Sequence, residues 1–68
     1  MRQIEKGDAV RVEDWRGQKH GRRAISPAVR GHDFVVVWIC REEEWEAARS
    51  EGREPQGMPW PEPDVEPA

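Results

Sequence analysis

Leu, Tyr, Thr and Asn are absent from the 68 residues, and Phe and Cys occur once each. Without Leu, and with two Met, the chain lacks the side chains on which helical bundles build their cores. The single Cys40 excludes an intrachain disulfide and any Cys-x-x-Cys metal motif. A reducing compartment is the corresponding expectation. The longest apolar run is Phe34–Cys40, far short of the roughly 20 residues that a membrane-crossing helix needs. No basic segment leading into a long apolar stretch opens the chain. A soluble, cytoplasmic chain with no membrane partner is expected.

What remains for a core is seven Val, three Ile and four Trp, types that suit a pleated, half-buried surface. Composition therefore predicts a mainly β chain, small enough to form one domain over residues 1–68. Arg outnumbers Lys nine to two, and Ala, Gly and Pro are frequent, as in the usage of a GC-rich genome. Charge is divided. Residues 1–41 hold nine Lys or Arg against five Asp or Glu, whereas residues 42–68 hold two against nine. Such a division predicts two surfaces of opposite sign, or one that masks the other.

Gly7-Asp8 breaks the chain before Val10, Arg11 and Val12, whose alternation predicts a half-exposed strand. Gly17 and Gly21 then bracket a stretch rich in positive charge, expected as a loop. Ala24, Ile25, Ala28 and Val29 predict a second strand, bent or at an edge where Pro27 removes a donor. Gly31-His32-Asp33 turns the chain into Phe34–Cys40, the strongest strand signal. Phe34, Val36, Trp38 and Cys40 share one face of it, Val35, Val37 and Ile39 the other, so both faces need cover. The candidate covers are the following segment, the tail or a second copy of the chain. A homodimer is thus among the expectations, and Trp38 is expected in the core.

Residues 41–51 predict a short helix, with Glu42, Glu43 and Glu44 in its first turn, where the dipole favours negative charge, and Gly52 as its stop. Trp45 is the one large apolar side chain on its inner face. Residues 55–68 contain five of the six prolines and predict an extended closing segment that packs back as a final edge strand through Trp60 and Val65.

Gly7, Asp8, Val10 and Val12, then Val36 and Trp38, then Pro63, Asp64, Val65 and Glu66 resemble the opening, central strand and close of small SH3-like barrels. The chain looks most like short actinobacterial single-barrel proteins, and its opening is also similar to that of KOW-type nucleic-acid barrels. The departure is the acidic segment "REEEWEAARSEGREPQG", where such barrels have a short turn. The resemblance implies an SH3-like barrel of four or five short strands with one helix inserted before the last. It implies a binding module and no chemistry.

His20, His32 and Cys40 are the soft metal ligands, and none stands at a metal-site spacing, so no metal or cofactor is expected. Cys40 ends an apolar strand, where a thiol is usually inert. No nucleophile motif and no phosphate-cradling glycine loop occurs, and so small a barrel has little room for a pocket, so no enzymatic activity is expected. Two binding surfaces remain. The first expectation is a protein-docking face built from Trp45, Trp60, Glu42, Glu43 and Glu46, which suits a basic partner surface. For Trp45 and Trp60 a place in the core is an equal alternative. The second expectation is RNA or single-strand binding by Trp15, Arg16, Lys19, Arg22, Arg23 and Arg30 in the Arg-rich loops 16–30. The acidic pI, near 5.3, places protein binding first. Small size and the lack of chemistry also suit an accessory or phage-encoded factor.

Overall fold

The computed structural model describes residues 3–68. Strand β1 (Ala9–Glu13) follows the Gly7-Asp8 turn and buries Val10 and Val12 while Ala9, Arg11 and Glu13 face solvent. It pairs antiparallel with β2 (Lys19–Ala24) on one edge and with β6 (Val65–Pro67) on the other. Strand β4 (Val35–Cys40) is the hub. One of its edges carries β2 opposite Ile39 and Cys40 and the two-residue β3 (Val29–Arg30) opposite Val35 and Val36. Its other edge carries β5 (Met58–Pro61). These six strands form a curled antiparallel sheet, a half-barrel.

The fold class is therefore mainly β with one helix, as the sequence predicts, with two differences in the count. There are six strands, and helix α1 (Glu42–Glu51) precedes the last two of them. The proline-rich close forms β5, a short 3-10 turn (Glu62–Asp64) and β6, because Pro59 and Pro61 need no donor at an edge strand.

The loop expected over Gly17–Gly21 is largely strand. Only Asp14–Gln18 turns, with Asp14 Oδ1 accepting from the Arg16 and Gln18 backbone N–H groups, each at 2.9 Å. Residues 19–24 pair with β1 along their length and with β4 at their end, so backbone pairing decides a segment whose side chains carry no alternation. The chain bends after Ala24. Ile25 N–H donates to Trp38 O at 2.8 Å, and the Trp38 N–H donates to Ser26 Oγ at 3.1 Å. A side-chain oxygen thus serves as acceptor beside Pro27, and β2 and β3 share one edge of β4 at different heights.

Residues opposite one another in a ladder share a face. The concave face gathers Val10, Val12, Ala24, Val37, Ile39 and Val65, with Ile4, into the buried core, and Trp60 packs against it. On the outer face, α1 packs on β2. Ala48 is buried there, and the Trp45 ring lies over Gly7, 3.6 Å from where a β-carbon would stand. The helix starts without a side-chain cap and ends at Gly52, whose φ of 66° lets its N–H reach back to Ala48 and Arg49 carbonyls.

Candidate interaction surfaces

The helix covers only one end of the outer face of β4. Cys40 lies beside Arg23 in the ladder and is buried next to the first turn of α1. Burial pushes its thiol pKa up, and the Glu44 and Glu42 carboxylates push the same way against Arg23. The result is a protonated, poorly reactive thiol. Val36 is covered by the β3–β4 turn. A β-carbon on Gly31 would stand 2.7 Å from Phe34 O and 3.2 Å from Val36 Cγ1, so only glycine lets the turn fold this closely.

Between those two covers the outer face is open. Phe34 is 55% exposed and Trp38 38% exposed, so the expected core position of Trp38 is overturned. The reason is placement: α1 packs chiefly on β2 and does not run along the middle of β4. Exposed Val29 sits opposite Val36 on the same face, and exposed Pro59 sits opposite Trp38. Phe34, Val36, Trp38 and Pro59 border a groove of about 550 Å³ with Arg30, His32 and Asp33 along its rim. The sequence places Trp38 in the core and predicts that the face it shares with Phe34 is covered by the following segment, the tail or a second copy. The signal that could have found them was the two-faced strand followed by a helix with one large apolar side chain, Trp45, with which to dock.

The residues of the expected acidic docking face are divided. Trp45 is half-buried against Gly7, with the Arg23 guanidinium 5.7 Å from its ring centroid. Trp60 is half-buried, and its Nε1–H donates to Glu13 O across the concave interior at 3.1 Å. Glu42 receives the Arg23 fork, with Nε and Nη2 at 3.1 and 2.9 Å from Oε2. Glu43 and Glu46 are exposed and make no ion pair among the described residues.

The basic set is divided in the same way. Lys19 pairs with Glu66 at 2.7 Å and Arg23 with Glu42, so both are engaged at home. Trp15 is 88% exposed on the β1–β2 turn, with the Arg16 guanidinium 4.8 Å from its ring centroid. Arg16, Arg22 and Arg30 make no ion pair among the described residues.

A second groove, of about 600 Å³, opens at the mouth of the concave face between β5 and the start of α1. Among the described residues no three His, Cys, Asp or Glu side chains gather where they could hold a metal, and no helix is long and apolar enough to cross a membrane. Compared with protein-family models, curated proteins and solved structures, the chain finds no significant match.

Proposed function

We propose that this chain is a non-enzymatic binding module whose partner is a protein, seated on the outer face of β3, β4 and β5. The observation that carries the reading is the joint exposure of Trp38, on a strand hydrogen-bonded along both edges, and of Phe34, in the turn that enters that strand. Large apolar side chains held on a rigid strand lose little freedom on binding, and aromatic anchors of this type dominate interface energetics. The rim of the face is mixed in sign, Arg30 beside Asp33, and neither makes an ion pair among the described residues. An apolar centre with a rim of both signs matches a protein surface that brings an apolar knob, a carboxylate for Arg30 and a cation for Asp33. A polyanion would meet Asp33 unfavourably. Glu43 and Glu46 stand ready for a basic part of the same partner, while Trp45 and Trp60 act in the fold. The resemblance to small SH3-like barrels agrees with a module of this kind.

One observation favours a second reading: Trp15 with Arg16 stacked on it has the composition of a single-strand stacking site. The two are separated by capture from lysate followed by reconstitution with the purified binder. A protein retained by wild type and by Trp15→Ala, and lost by a folded Phe34→Ser, Trp38→Ser double variant, supports the first reading. Retention of nucleic acid that is lost with Trp15→Ala, and with rising salt, overturns it in favour of the second.

A further inference from the structure

The groove at the mouth of the concave face has a chemistry of its own, separate from the Phe34–Trp38 face. Its apolar wall is Ile39, Met58 and Trp60, three side chains on the inner face of the β4–β5 pair. Met58 is 54% exposed although it sits opposite fully buried Ile39. The groove is held open from below by Gly57, where a β-carbon would stand 2.0 Å from Ile39 O, so the chain enters β5 pressed against the backbone of β4.

Arg22 faces this groove from β2. It lies opposite Val10, on the inner face, and is half-buried. One guanidinium nitrogen donates to Gly21 O at 2.7 Å, and the other donors meet no acceptor among the described residues. Arg41 also lines the groove, without an ion pair. Of the two carboxylates nearby, Glu44 is already satisfied. It accepts from Arg53 and from the Gln56 N–H, which hold its pKa down. Two unpaired cations therefore face one unpaired acid, Glu43. A fork of donors beside an apolar wall that includes an indole is complementary to a planar oxyanion attached to a flat apolar body.

We infer that the groove is a binding site for a small aromatic carboxylate, with its carboxylate on Arg22 and its flat apolar body against Met58 and Trp60. The size of the groove suits a small molecule or the last residues of a peptide with a free C-terminal carboxylate. Nothing in the inference depends on the protein-binding reading above.

The test is a titration of the full chain followed by backbone-amide and indole NMR, where each tryptophan has its own indole signal. The probes are 2-naphthoate, its neutral carboxamide, phenyl phosphate and a short peptide ending in a free Trp carboxylate. Naphthoate is expected to shift the Trp60 indole and the Arg22 and Met58 amides, with a dissociation constant of about a millimolar for a ligand of this size. The carboxamide should bind about tenfold more weakly. Arg22→Gln, which breaks no ion pair and should keep the wild-type spectrum, should reduce naphthoate binding by a similar factor, with Arg22→Lys in between. The peptide, which carries the same carboxylate beside an indole, is expected to shift the same signals, and its affinity relative to naphthoate separates a chain terminus from a free small molecule as the source. Phenyl phosphate binding more tightly than naphthoate would overturn the assignment to a planar carboxylate. Equal binding of naphthoate and carboxamide, no effect of Arg22→Gln, or shifts confined to Trp38 and Phe34 would each overturn the assignment.

Discussion

The indole N–H of Trp60 donates to the carbonyl of Glu13 at 3.1 Å, linking β5 to the end of β1, a strand with which it shares no ladder. The half-barrel is therefore fastened across its interior by a side chain. Trp60→Phe keeps most of the ring and removes the donor, and should lower stability by about 1 kcal/mol. Trp60→Ala also removes the packing against the core and should cost about 3 kcal/mol. Urea denaturation of both variants measures the difference, and equal losses would show that the bond contributes nothing.

The buried face of β4 and the exposed turn that enters the strand make opposite predictions. Ile39→Ala opens a cavity at a site that is 1% exposed and should cost about 3 kcal/mol, a large part of the stability of a small domain. Phe34→Ser, in the exposed turn, should change stability by no more than about 0.5 kcal/mol and improve solubility. A large thermal shift with Phe34→Ser would show that this face is closed in solution, by a second copy or otherwise.

Stability should fall at acidic pH through three carboxylates. Asp14 is held below its ordinary pKa by its hydrogen bond to His20 and by two backbone N–H groups. Glu44 is held down by Arg53 and Glu66 by Lys19. For each, the folded chain binds the proton less readily than the unfolded chain, so the contribution is present above the unfolded pKa of about 4 and is lost as pH falls through the lower folded value. The urea midpoint should be flat in this respect above about pH 5 and decline below it. Asp14→Asn should make the decline shallower, and an unchanged slope would remove Asp14 from the account.

Cys40 should be silent in the native protein. Its burial and raised pKa predict that a thiol-reactive disulfide reagent at pH 8 labels it only at the rate at which the chain opens. Adding urea should release full labelling. Rapid labelling without denaturant would place the thiol in solvent.

Much of the fold is legible in the residues because it rests on local chemistry. The alternation of Val10 and Val12, the unbroken apolar run of β4 with its two faces, and the glutamates and Gly52 that start and stop α1 each encode their own element. Strand β2 is not legible. Its Lys, His and Arg side chains carry no period, and its ladder bonds to β1 and β4 are made by backbone groups that every residue possesses. The candidate surfaces divide along the same line. Charges and tryptophans can be counted in a sequence, but which are engaged is settled by partners far along the chain, as Glu42 is for Arg23 and Glu13 for Trp60.

The apolar run from Phe34 to Cys40 and the acidic block after it determine, without any structure, that a two-faced strand is followed by a charged helix. Tertiary structure alone decides where that helix packs. Lying on β2, it leaves Trp38 and Phe34 exposed while Cys40 is buried, and an expected core position becomes surface. Periodicity reports which side a residue is on, whereas coverage depends on the length and direction of whatever packs over it.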